Sequence, residues 1–170
     1  ATTLQATEAL SFAATINYTR SDHVRIQQGS NTSGLLLGLY RTPASFDNSN
    51  GFGNDAFNQP SSYIFPDGQQ RNYRGGGGYD NPYWTVNNTL RRETVHRTFG
   101  NFQANYKVSD WINIGMNLGT DITNDDRKQD FEINSRTNPN GTVILDEFIT
   151  RQTDFYLNLS GSGQLSDDFS

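Results

Sequence analysis

Cysteine is absent from the 170 residues, so neither a disulfide framework nor a thiolate metal site can be built. Hydrophobic residues make up only 33 %, which argues against the packed interior of a self-contained soluble domain. No run of about 18 apolar residues exists, so no transmembrane helix is expected; that absence does not bear on strands. Charge is also sparse. A formal net charge of −5 offers no electrostatic attraction for nucleic acid. Low hydrophobicity by itself would fit disorder. Aromatics at 12 % and a strongly periodic pattern point the other way.

That pattern is clearest from Ile112 to Ile122. Ile112, Ile114, Met116, Leu118, Thr120 and Ile122 alternate with Asn113, Gly115, Asn117, Gly119 and Asp121. A period of two held this long predicts a β-strand with one greasy and one polar face. Soluble strands average about five or six residues, whereas crossing a bilayer takes about nine to eleven. The same alternation runs through Leu10–Tyr18, Gly100–Val108 and Phe155–Leu165. The polar rows are Asn, Gln, Ser and Thr, as suits a wetted lumen. Strands are expected near residues 1–6, 10–21, 93–108, 111–124 and 148–166.

Three joints share a chemistry: Thr7-Glu8, Ser109-Asp110 and Ser166-Asp167 each place a hydroxyl before a carboxylate and then open into an apolar residue. Such pairs suit tight turns because both side chains can bond nearby backbone amides. The other joints, 22–92 and 124–148, are long. Short turns at one end and long loops at the other is the asymmetry of outer-membrane barrels, which puts Glu8, Asp110 and Asp167 at the periplasmic rim. Within 124–148, Asn138-Pro139-Asn140-Gly141 is a strong turn signal, expected to top a hairpin in which 131–133 faces 143–145. Strand material begins almost at Ala1, and the chain stops where the corner at Ser166 should launch another strand. The expectation is therefore an all-β chain: about four to six antiparallel strands of a larger transmembrane β-barrel, whose open edges would be intolerable in lipid alone.

Longer motifs add a resemblance. Arg25-Ile26-Gln27-Gln28-Gly29-Ser30-Asn31, Leu39-Tyr40-Arg41-Thr42-Pro43 and Phe46-Asp47-Asn48 precede Gly75–Trp84, which ends Tyr-Asp-Asn-Pro-Tyr-Trp. Arg91-Arg92 and the strand Arg97-Thr98-Phe99-Gly100-Asn101-Phe102 follow. Together, over about residues 10–168, these resemble the barrel of the SusC/RagA family of TonB-dependent outer-membrane transporters of Bacteroidetes. The resemblance implies a 22-stranded barrel with an N-terminal plug, a TonB box coupling to TonB, and a SusD-like surface lipoprotein as lid. It implies uptake of glycans or peptides across the bacterial outer membrane. Neither plug nor TonB box lies in these residues. Two other readings remain open: a secreted soluble β-sandwich that binds carbohydrate, and a passive porin or structural barrel.

Candidate contact residues concentrate in the 22–92 segment, because loops on a rigid wall carry binding groups. Arg74, Tyr79, Asp80, Asn81, Tyr83 and Trp84 combine flat aromatics, which stack on sugar rings, with polar groups that fix orientation. The competing structural reading is that Asn-Pro-Tyr-Trp anchors the loop. Gly75–Gly78 lacks the Lys-Ser/Thr ending of a phosphate loop. The run from Asp47 to Asp55 departs from a calcium loop, with its Gly misplaced and the bidentate Glu missing. His23 and His96 have no ligand spacing, and no nucleophile elbow occurs. No catalytic, metal or cofactor site is expected. Phe12, Tyr18, Phe99, Phe102, Tyr106, Trp111 and Phe155 are expected to form interfacial girdles.

Overall fold

A computed structural model describes residues 2–75 and 78–163. It is all-sheet in architecture, with five antiparallel strands in one sheet: β1 (Thr2–Gln5), β2 (Leu10–Ile26), β3 (Thr89–Lys107), β4 (Ile112–Phe131) and β5 (Thr142–Gly161). Spatial order equals chain order, so every connection joins neighbours. The register of the first pair places Thr2 opposite Ala14 and Gln5 opposite Ser11. Two helices, α1 (Leu35–Arg41) and α2 (Pro82–Asn88), and two 3-10 turns, Gly53–Asn58 and Pro60–Ser62, lie between β2 and β3.

The chain divides into two compact units. The strand unit comprises the described residues of Ala1–Ser21, Val95–Asp125 and Phe148–Ser170; the loop-rich unit comprises Asp22–Thr94 and Asp126–Glu147.

In the strand unit the two predicted faces are real. Phe12 stacks on Phe102 with ring centroids 5.8 Å apart. Ala14, Ile16, Phe102 and Leu118 line one shallow apolar depression across β2, β3 and β4. The polar row is equally continuous. A Cβ built on Gly115 would lie 3.2 Å from the Asn105 amide oxygen and 3.8 Å from the Asn158 Cβ, so these three share a face. Arg97 pairs with Asp121 on adjacent strands. Phe99 departs from the girdle expectation. Arg97 lies over its ring at 5.0 Å, and Phe99 borders both the apolar depression and a polar one with Asp121 and Asp154. Its odd position in β3 places it with Asn101 and Asn105 rather than with Phe102.

Both described corners of this unit use the expected hydroxyl. The amides of Ala6 and Thr7 donate to the Leu10 carbonyl, and the amides of Val108 and Ser109 donate to the Ile112 carbonyl. Thr7 Oγ1 accepts from the Ala9 amide, and Ser109 Oγ accepts from the amides of Trp111 and Ile112. Lys107 bonds Asp110 at 2.6 Å, which holds the Asp110 carboxyl below its usual range. The third corner, with Asp167, lies outside the described residues.

Strand boundaries differ from the sequence reading. β2 continues to Ile26, β3 starts at Thr89, β4 continues to Phe131 and β5 starts at Thr142. Along β2, β3 and β4 the added residues carry ion pairs, most of them between strands. Arg25 reaches Glu93 at 3.1 Å, Arg127 reaches the same carboxylate at 3.7 Å, and Arg92 and Lys128 both meet Asp130. Only Phe131 of the 131–133 segment is strand, and Val143, Ile144 and Leu145 belong to β5. The Asn138–Gly141 turn forms as expected. The Gly141 amide donates to the Asn138 carbonyl, and a φ of 77° makes glycine the natural residue there.

Candidate functional site

The 27–88 segment is organised by side chains that replace a sheet ladder. Asn81 caps α2: its Oδ1 accepts from the Tyr83 amide at 2.8 Å, and Pro82 follows at the first helical position, where a missing N–H costs nothing. The other end of the same amide donates to the carbonyls of Arg71 (2.7 Å) and Asn48 (3.2 Å). One residue thus ties three stretches of loop together.

Asp80 does the same with charge. Its Oδ1 accepts from Gln70 Nε2 at 2.6 Å and from the Arg136 amide at 2.7 Å, and its Oδ2 accepts from Ser135 Oγ at 3.1 Å. Its own amide donates to the Thr32 carbonyl. Gln70 is the partner at the centre: Nε2 also reaches the Asn134 carbonyl, and Oε1 accepts from the Asn81 amide. Asp80 is only 3 % exposed, and burial pushes its carboxyl above the usual carboxylate range against the opposing pull of these donors. Thr85 Oγ1 donates to the Ser33 carbonyl, and α1 packs so closely that a Cβ on Gly38 would lie 3.2 Å from the Asp80 carbonyl oxygen.

The six sequence candidates therefore fall into two groups. Asp80, Asn81 and Trp84 are buried, and the polar groups of Asp80 and Asn81 are fully engaged within the loop. They hold the segment together, which is the anchoring reading of Asn-Pro-Tyr-Trp. Tyr83 is half-buried and stacks on Tyr63 at 6.5 Å. Arg74 and Tyr79 come together at the surface, with the guanidinium 5.2 Å from the ring.

Two partners of that pair had no signal in the sequence. Tyr73 stacks on Tyr79 at 6.0 Å with planes 10° apart, and Arg41, from the last turn of α1, lies over Tyr79 at 4.7 Å. Phe46 meets Tyr73 edge-on at 6.4 Å. Gln70, Ser135 and Arg136 were equally invisible, being single polar residues in polar stretches with no spacing that relates them.

In the Asp47 run, both carboxylate oxygens are occupied by the loop itself. Oδ1 accepts from the Ser49 amide and hydroxyl, and Oδ2 accepts from the Gly51 amide, which lowers the Asp47 pKa. This is a polar turn. Among the described residues, no group of three or more His, Cys, Asp or Glu side chains could hold a metal ion, and no helix is long and apolar enough to cross a membrane. Compared with protein-family models and with curated proteins, the chain matches none.

Proposed function

We propose that this chain is a wall segment of an outer-membrane, TonB-dependent nutrient importer of the SusC/RagA kind, taking up glycans or peptides with a SusD-like lipoprotein. The observation that carries the reading is the strand unit's sheet. One face presents an apolar row, the other a row of amides, and no described residue of the unit is buried. Ile16 is 80 % exposed and Leu159 71 %. Apolar rows of this extent need a cover. Hydrocarbon on one side and a wetted lumen on the other supplies both environments at once.

Strand length supports the same reading. β2 to β5 run 17 to 20 residues, well beyond the nine to eleven or so that a bilayer crossing takes. The apolar rows occupy about that shorter length, from Leu10 to Tyr18 and from Ile112 to Ile122, and the charged remainder suits water. Among the described residues β5 pairs along one edge only, and an unpaired edge is excluded from lipid, so further strands would continue the wall.

In this arrangement the strands hold the lumen, the 27–88 segment meets substrate or lid, and energy coupling belongs to plug and TonB-box parts outside these residues. Fractionation of the full-length protein is the test. It should sediment with outer membranes, require detergent for extraction, and support glycan or peptide uptake that is lost when TonB is deleted. Recovery as a soluble monomer would overturn the barrel in favour of a secreted sandwich. Membrane residence with TonB-independent passage would point to a passive porin.

A further inference from the structure

Four arginines of the long strands are matched by acids. Arg25 and Arg127 share Glu93, Arg92 meets Asp130, and Arg97 meets Asp121. Arg41 and Arg74 are placed differently, on aromatic rings. Both guanidinium groups lie over one ring, that of Tyr79, at 4.7 and 5.2 Å, and Arg74 also reaches Tyr73 at 6.0 Å. Among the described residues neither guanidinium has an ion-pair or hydrogen-bond partner; their contacts are to rings. Two like charges over one ring repel one another, and among the described residues no carboxylate forms an ion pair with either.

Gly78 leaves room for Arg74 on the ring. Gly78 adopts a φ of +93°, and a Cβ there would lie 3.2 Å from Arg74 Cδ and 3.4 Å from its Nη1. A side chain at 78 would therefore displace the guanidinium. A guanidinium lying on an aromatic ring is weakly hydrated and pre-oriented, yet its in-plane N–H groups stay available. Those groups form paired, charge-assisted bonds to planar oxyanions.

We propose that Arg41, Arg74 and Tyr79 form a binding site for the carboxylate of an acidic sugar. The proposal rests on the importer reading and narrows its substrate class. The carboxylate lies between the two guanidinium groups and relieves their repulsion. The rings of Tyr73 and Phe46 continue the aromatic surface beside them, offering apolar faces to the C–H side of a pyranose. An acidic peptide would satisfy the charges but has no rigid ring to match that surface.

Calorimetric titration of the detergent-solubilised full-length protein tests this with three probes: tetragalacturonate, neutral galactotetraose and tetraglutamate. Tetragalacturonate should bind about ten-fold or more tighter than galactotetraose. That preference should shrink as salt is raised from about 0.05 to about 0.5 M. Arg41→Gln with Arg74→Gln should abolish the preference for tetragalacturonate over galactotetraose. Arg41→Lys with Arg74→Lys should retain part of it, because charge survives and paired geometry does not. Equal affinity for charged and neutral sugars, or an undiminished preference in the double Gln variant, would overturn the site. Tetraglutamate binding as tightly as tetragalacturonate would overturn the sugar assignment. A protein that resides in the outer membrane but prefers neutral sugar fails this proposal alone; a soluble protein fails the importer reading beneath it.

Discussion

No described residue of the strand unit is buried, whereas in the loop-rich unit Asp80, Asn81, Gln70, Thr85 and Trp84 are almost closed off from solvent. The first unit satisfies its backbone through strand ladders and leaves both rows of side chains facing outward. The second contains long irregular stretches between its helices and strand ends, and there backbone groups are met by side chains such as Asn81, Gln70 and Asp80. The contrast shows two ways for a chain poor in hydrophobic residues to be ordered. A sheet can leave its apolar row to an outside medium. A long loop must supply its own polar lattice, because an unmet buried amide costs as much as a lost hydrogen bond.

The sharpest way to break the comparison is to charge each row of the strand unit. On the importer reading, Ile114→Arg or Leu118→Arg should cost roughly 2–4 kcal/mol in the membrane-inserted full-length protein, while Asn113→Arg costs little. Urea unfolding from liposomes measures both, and equal damage would remove the distinction between the faces. In the loop-rich unit the comparable target is Asp80. Asp80→Ala strands the donors of Gln70, Ser135 and Arg136 and should cost about 3 kcal/mol, read as faster proteolysis within 27–88.

Asp80→Asn separates geometry from charge. Its Oδ1 can keep the Gln70 and Arg136 bonds, and its Nδ2 can donate to the Ser135 hydroxyl, so the change should stay within about 1 kcal/mol. The pH dependence has a definite sign. Burial raises the Asp80 pKa, so the wild-type contribution is complete below the unfolded carboxylate value and declines as pH rises through the folded one. The Asn variant lacks that decline and should gain on wild type from acidic to neutral pH. A constant difference would mean Asp80 titrates normally.

Each unit also has a glycine at a close approach. A Cβ on Gly100 would collide with the Thr15 carbonyl oxygen, and one on Gly38 would press on the Asp80 carbonyl at 3.2 Å. Gly100→Ala should cost about 2 kcal/mol and Gly38→Ala about 1 kcal/mol, because only the second can be relieved by a small shift of α1. Smallest is the corner hydroxyl: Ser109→Ala, losing its bonds to the Trp111 and Ile112 amides, should cost about 0.5–1 kcal/mol by the same urea assay.

The strand unit was legible in sequence because a period of two is local: each residue reports its own face. The hydroxyl corners at Thr7 and Ser109 and the Asn138–Gly141 turn were legible for the same reason. The outer stretches of β2 to β5 were missed because pairs such as Arg25 with Glu93 are distant in sequence and leave no periodic trace. Of the site candidates, the aromatics and their neighbours could be named, but which faced inward could not. Asp80 and Arg74 are both charged loop residues, and only partners such as Gln70 and Ser135 on one and Tyr79 on the other separate a lattice member from a surface group.

The residue pattern by itself determined that the chain makes long two-faced strands, where its tight corners lie, and that no cysteine chemistry is open to it. Those properties depend on neighbours one to four residues away. Tertiary structure alone decided that Asp80 and Asn81 became the fabric of the loop and that Arg41 came to share a tyrosine with Arg74. Burial and charge pairing are set by whatever folding brings alongside, and in a 62-residue polar excursion between β2 and β3 that company has no local signature.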